Sequence, residues 1–369
     1  MKAAVITLHQ VDNYGTQLQA LATQEKLKEY FDDVTFIDYR RPDTYGKGLL
    51  DTFAQGNPVR ALAILPTLLR WKSVFGTFRK NNLNLTDKVY YSEADFNDFR
   101  DDADVYFSGS DQVWNAGWNG GVIPYFYLSF VPDGKPKYAY ASSFGRKTLP
   151  DDEVKSSKRY IDRFTEITVR EESGVDIVKN QYGFSNVQRV VDPTLAMPPE
   201  FWRKVGNAIK NMPKEYILIY NLNRNADFDR YAERVAKKTG LPLYRFCTRY
   251  DQIFRSGKSL VIPDILDFIT LVDNAKYVIT DSFHATAFSM NLNTEPICVY
   301  PNAYSGRISE FLKLVNSEQM HAKDYDDLDI VNRHVDFDEV NAILEAERKK
   351  VDKFLENIVS RETVRHNYV

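Results

Sequence analysis

The run Asp281-Ser282-Phe283-His284 sets a carboxylate, a hydroxyl and an imidazole side by side just before a helix-compatible segment. Asp281 and Ser282 are residue types that accept bonds from the free N–H groups of a helix's first turn. His284 then falls in that turn, at the positive end of the helix dipole, where anions are favoured. An imidazole changes charge near neutral pH and can deliver a proton in a reaction. The helix end disfavours the imidazolium and a bound anion favours it, so proton and anion would arrive together. The plainer alternative is a capped helix with a packed histidine.

Four further turns carry groups of the same kind. His9 to Gly15 holds Asn13 and Gly15; it is no G-x-G-x-x-G fingerprint, so no dinucleotide is implied, and a tight turn explains it equally well. Gly109, Ser110, Asp111 and Gln112 follow the apolar run Asp104–Ser108. There a glycine admits close backbone approach and Asp111 offers a base, or the turn is one more helix cap before a buried Trp114. Ser143 and Arg146 follow Lys137–Ala141. Arg170 ends Glu166–Arg170, where a guanidinium can fork onto a carboxylate or phosphate or simply pair with Glu171.

The elements that must position these groups alternate strand and helix. Lys276–Thr280, Ala285–Leu292 and Pro296–Tyr300 read as a short βαβ crossover with parallel strands. Ala3–Leu8, a helix over Thr16–Phe31 and Val34–Tyr39 read as another. The expectation is an α/β protein of two Rossmann-like domains with a cleft between them. The first covers 1–195 with an insert at about 45–91, the linker 196–213, the second 214–335, and a helix and tail 336–369. The helix packs at the junction or returns to the first domain, and the tail from Arg361 frays. Within the insert, Ala61–Phe78 is apolar, flanked by Arg70, Lys72 and Arg79, and interrupted at Pro66. It reads as a packed helical hairpin, a lid, an acceptor-binding piece or a face that meets a membrane.

Bulk properties narrow the class. Charged residues make up 27% and the net charge is −3, so nothing favours nucleic acid, and any anion site must be a local pocket. Aromatics reach 14%, which suits a thick core and sugar-stacking surfaces alike. The two cysteines, Cys247 and Cys298, make neither a disulfide framework nor a zinc site, and no metal is expected. No apolar window is long enough to span a membrane, and the opening MKAAVITLHQ lacks signal-peptide organisation. The expected location is the cytoplasm, at most at the inner face of the membrane.

GSDQVWN (109–115), VREESG (169–174), VVDPTL (190–195) and TDSFHATAFSMN (280–291), with the opening TLHQVDNYGTQLQALA (7–22), resemble the polysaccharide pyruvyl transferases. The resemblance implies a fold like the two-domain B-type glycosyltransferases. It implies transfer of a pyruvyl group from phosphoenolpyruvate to two hydroxyls of a sugar, such as galactose in a bacterial surface or capsular polysaccharide precursor. A cyclic ketal forms and phosphate leaves. Phosphoenolpyruvate is then a substrate rather than a cofactor, and the glycan acceptor is free or lipid-linked. In relatives the turn commonly reads Arg-Leu-His, with Arg and His on the donor. Here Ser282 stands at the Arg position and Phe283 at the Leu position, and His284 is kept. By the same resemblance Arg170 matches a donor-contacting arginine. His284 is the expected acid and Asp111 the expected base, with Asp281, Ser282, Phe283 and Arg170 at the donor.

Two other classes share these features. A nucleotide-sugar glycosyltransferase would need a uridine or guanine pocket and a carboxylate pair or basic residues for the diphosphate in the second domain, which Arg224 and Arg245 leave open. A silent relative would bind glycan only.

Overall fold

The computed structural model describes residues 1–99, 103–223, 225–300 and 305–367, with Arg224 outside them. Every sheet pairing is parallel. The chain divides into two compact units. One comprises 1–56, 78–196 and 346–369; the other comprises 57–77 and 197–345.

The first unit holds a seven-stranded sheet. Its strands are β1 (Lys2–Ile6), β2 (Asp33–Tyr39), β3 (Leu85–Tyr90), β4 (Val105–Ser108), β5 (Lys137–Ser142), β6 (Glu166–Val169) and β7 (Val187–Arg189), in the order β3-β2-β1-β4-β5-β6-β7. β1, β4, β5 and β6 are apolar and almost wholly buried, as strands covered on both faces must be. β3 is different: LTDKVY holds a polar middle, with Asp87 and Lys88 exposed, because it is the sheet's edge. That mixed composition is why sequence reasoning passed over it inside the expected insert. The helix Tyr14–Lys28 follows β1.

The second unit holds β8 (Ile217–Tyr220), β9 (Leu243–Cys247), β10 (Lys258–Val261), β11 (Tyr277–Thr280) and β12 (Glu295–Cys298), in the order β10-β9-β8-β11-β12. The expected crossover is present. β11 and β12 are parallel, with Val278 opposite Pro296, and the helix Phe283–Leu292 joins them. Pro296 is tolerated because β12 lies at the edge of the sheet, where a missing N–H breaks no ladder. In both sheets the strand order reverses beside the first strand, between β1 and β4 and between β8 and β11. The crevice at the carboxyl ends of such neighbours is where open α/β sheets bind ligands.

Three expectations change. Residues 58–82 form one continuous helix with Pro66 inside it, not a hairpin broken at the proline. Its part up to Thr77 groups with the second unit. Tyr250 N donates to Thr67 Oγ1, Trp71 Nε1 donates to the Thr248 carbonyl, and Arg70 donates to the Ile262 carbonyl. The segment 196–213 contains the helix Pro199–Val205, whose Trp202 packs edge-on against Phe288. The last helix runs Phe337–Asn367, and its part from Ala346 belongs to the first unit. Tyr138 donates to Glu362, and Arg361 approaches Glu166 at 3.3 Å, so the expected fraying tail is helical through Asn367.

Candidate functional site

In the second unit β11 delivers the chain into Asp281-Ser282, and the helix Phe283–Leu292 begins at once. Ser282 is its cap. Ser282 Oγ accepts from Ala285 N at 3.4 Å, and the Ser282 carbonyl accepts from Thr286 Oγ1 at 3.0 Å. Thr280 Oγ1 accepts from Ser282 N at 3.0 Å, which fixes the bend out of the strand. All ten helix residues are buried, so this is a core helix without a polar face, and its first turn is held rigidly. His284 is 7% exposed. Its ring meets Phe283 edge-on at 5.3 Å, and Phe283 in turn meets Phe311 at 5.8 Å.

Asp281 does not cap this helix. Its carboxylate reaches to the end of β8, accepting from Leu222 N at 2.7 Å, Asn223 N at 3.0 Å and Asn223 Nδ2 at 2.9 Å. Burial pushes its carboxyl above the ordinary range, against the lowering effect of those donors. Asp281 therefore ties the ends of the two strands flanking the order reversal and leaves Ser282 as the cap.

In the first unit the turns past β4, β6 and β7, which run outward from the reversal, are packed with charge. Arg170 lies just past β6, with 2% of its side chain exposed. Its guanidinium meets Asp192 at 2.6 Å, Glu171 at 3.0 Å and Asp111 at 3.7 Å. These three carboxylates hold Arg170 strongly protonated despite its burial. The fork expected to meet a donor is thus engaged by carboxylates, and the salt-bridge alternative is the one the geometry supports. Asp111 adopts a left-handed backbone (φ 69°) and is buried. Its Oδ2 accepts from Thr16 Oγ1 at 2.8 Å and its Oδ1 from Gln112 N at 2.9 Å.

The remaining expected residues brace the same cluster. Asn13 caps the helix Tyr14–Lys28, accepting from Thr16 N, and Gly15 is buried in its first turn. Ser110 donates to Asp192 at 3.3 Å, and Ser143 donates to Glu171 at 2.9 Å. Gln112 accepts from Asn115 Nδ2 at 2.6 Å. Gly109 is small for packing rather than for a ligand: a Cβ there would lie 2.9 Å from Thr7 Cβ. Arg146 stands outside the cluster, paired with Glu153 at 3.1 Å and lying over Gly117.

Sequence reasoning missed Thr16 and Asp192. Asp192 Oδ1 caps Thr194 while its other oxygen takes Arg170 and Ser110. Its signal was its place in the VVDPTL run, which carried the family resemblance without a role for the aspartate. Asn221 and Asn223 were also missed. Arg245, the rival class's diphosphate candidate, is buried and bonded to Asn221 and Asp229. Among the described residues no group of His, Cys, Asp and Glu is arranged to hold a metal.

Comparison with known proteins agrees with this architecture. Solved structures align over nearly the full chain at low identity. A Rickettsia bellii UDP-N-acetylglucosamine 2-epimerase aligns at TM-score 0.51 and 11% identity, covering 98% of this chain and 97% of its own. The Methanocaldococcus jannaschii UDP-GlcNAc 2-epimerase in complex with UDP-GlcNAc and UDP aligns at 0.50 and 10%, covering 97% and 100%. A Listeria monocytogenes protein assigned as a UDP-N-acetylglucosamine 2-epimerase aligns at 0.52 and 8%, covering 93% and 90%. At such identity the likeness establishes the fold alone, that of the B-type glycosyltransferases and sugar-nucleotide epimerases. No curated protein matches the chain. The polysaccharide pyruvyl transferase model matches residues 13–302, which takes in the Asn13 cap, the Arg170 cluster and the His284 turn; the chain belongs to that family of transferases.

Proposed function

We propose that the protein transfers the pyruvyl group of phosphoenolpyruvate onto two hydroxyls of a sugar in a surface-polysaccharide precursor, free or lipid-linked, with formation of a cyclic ketal. The observation that carries this reading is His284 in the first turn of a fixed core helix, beside the strand-order reversal of the second sheet. The helix end favours the donor's negative charge, and the imidazolium supplies the acid. His284 protonates the methylene carbon of the donor. A sugar hydroxyl adds to the resulting electrophilic carbon, and the second hydroxyl displaces phosphate. The two hydroxyl protons leave as the carbon–oxygen bonds form: one restores the imidazolium of His284 and the departing phosphate carries away the other. Ser282 donates no cation of its own, so in this reading His284 and the helix end carry the donor's charge without the arginine that relatives hold at that position.

The test is to incubate the protein with phosphoenolpyruvate and a panel of free and lipid-linked galactosides, and to follow phosphate release and the mass of the glycan. Phosphate together with a pyruvyl adduct is the expected result. Release of nucleoside diphosphate from a nucleotide sugar, with no phosphate from phosphoenolpyruvate, would transfer the protein to the glycosyltransferase class. That class draws no support from Arg245, whose guanidinium is already bonded.

A further inference from the structure

The first unit holds a cavity of about 670 Å³ between the short helix Glu93–Asn97 and the segments that lead into β5 and β6. That is the size of a small-molecule site. None of the expected site residues lines it. Arg163, on one side of it, lies just before β6. The cavity therefore reaches the amino-terminal end of that strand, whereas the Asp111 and Arg170 turns leave carboxyl ends.

Its wall is aromatic and fixed. Tyr125 and Phe130 each stack face-on against the buried Phe96, with ring centroids 4.4 Å apart and planes at 18° and 26°. Tyr125 and Phe130 are half-buried, and Tyr160 lines the same cavity. Arg159 lies over the Tyr160 ring at 4.7 Å and donates to its hydroxyl at 2.6 Å. A guanidinium held in this way has further N–H donors to offer.

The rim is polar and mixed in sign. Glu93 can only accept and Arg159 can only donate, and both are exposed. Neither has an ion-pair partner among the described residues. Arg163 is answered by Asp133 at 2.9 Å. Burial and the Glu93 carboxylate push the Tyr125 phenol up, so its hydroxyl stays neutral.

These groups select the ligand. One guanidinium and one carboxylate leave no net charge, which disfavours a phosphate or a nucleotide. A wholly apolar ligand would take water from both ions and return no hydrogen bond. A neutral sugar ring suits the wall and the rim together. It has an apolar face of C–H bonds to lay on an aromatic, and hydroxyls that both donate and accept. The chain belongs to a family of polysaccharide transferases, so such rings reach it linked in chains.

We propose that this cavity is a second glycan-binding site, which holds a neutral hexose unit of the polysaccharide away from the reacting turns. The sugar's apolar face lies on the aromatic wall, and Glu93 and Arg159 bond its hydroxyls. The site needs the family's glycan and no particular donor, so it stands whichever group is transferred.

The experiment is calorimetric titration of the full chain, without donor, with neutral tetrasaccharides of galactose, glucose and mannose. Saturable binding of at least one is expected. Glu93→Ala/Arg159→Ala changes two exposed side chains and should keep its circular dichroism spectrum. Its affinity should fall roughly tenfold or more, since a hydrogen bond to a charged group is worth that order. Pyruvyl transfer to free galactose should be unchanged in the double variant, and a loss there would merge the cavity with the reacting site. If the parent releases no phosphate from phosphoenolpyruvate, the titration still decides. No binding of any tetrasaccharide, or equal binding by the double variant, overturns the assignment. So does inorganic phosphate or uridine monophosphate that binds the parent and not the double variant, which would make the cavity an anion site.

Discussion

The two strand-order reversals are built from the same topology and opposite electrostatics. In the first unit the carboxylates past the strands are answered by cations. Arg170 sits among Asp111, Glu171 and Asp192, Arg40 holds Asp38, and Arg79 holds Asp12. In the second unit Asp281 is held by neutral donors from Leu222 and Asn223, and the helix after it carries His284 in its first turn. Two buried strand-end aspartates show the contrast. Burial raises both carboxyls. At Asp38 bonds from His9 and Arg40 overcome that effect and bring the group down to about 2, while Asp281 stays above its ordinary value. A reversal that neutralises itself is a brace. The second reversal, where Asp281 is answered by neutral donors and a helix end carries His284, is the better place for an outside anion.

The largest expected effect tests that division directly. His284→Gln keeps a hydrogen-bonding side chain and loses the transferable proton. Phosphate release at saturating phosphoenolpyruvate should fall roughly 10²–10⁴-fold, the usual value of general acid catalysis. Near-parent turnover would return His284 to a packing role. The parent's activity should fall as pH rises and the donor-bound imidazolium loses its proton.

Arg170→Met probes the brace. Removing the guanidinium leaves buried carboxylates uncompensated, and urea unfolding should show a loss of about 3–5 kcal/mol. If Arg170→Lys instead keeps full stability and abolishes donor binding in calorimetry, the anion site belongs to the first unit and the comparison is reversed.

Acid should reach the two aspartates differently. Asp38 titrates lower in the folded chain than its ordinary value of about 3.9. Its contribution is complete above that value and is lost as pH falls through about 2; a group so shifted is worth roughly 2–3 kcal/mol. Asp38→Asn should flatten the melting temperature between pH 4 and 2, on the order of the window set by those two values. A variant as acid-sensitive as the parent would assign the acid loss to other carboxylates.

The smallest effect is at the cap. Ser282→Ala removes the acceptor for Ala285 N and should cost about 1 kcal/mol in thermal unfolding. It should change phosphate release much less than His284→Gln does. A loss of activity as large as that of the histidine variant would mean that Ser282 itself meets the donor. Ser282 is 4% exposed, so an arginine at this position would need the turn to move.

Local pattern was enough for the parallel crossover around His284. Tyr277–Thr280 and Glu295–Cys298 are short, apolar and separated by one helix, and a connection of that length admits little else. It was enough for the Ser282 cap, because a cap bonds within three residues of itself. The amino-acid sequence by itself therefore determined the α/β class, the positions of the strand-end turns and the residue types they carry. Tertiary structure decided what those residues face. Asp281 looked like a cap and instead reaches 59 positions back to Leu222. Arg170 looked like an open fork and meets Asp192, 22 positions away, and Asp111, which lies on another strand's turn. Pro66 looked like a break and lies within a helix that is held just past the proline, where Thr67 meets Tyr250 and Trp71 meets Thr248. Capping and periodicity are short-range and leave their mark in neighbouring letters. The partner of a buried charge is set by which strands lie side by side, and that order is fixed only when the sheet assembles.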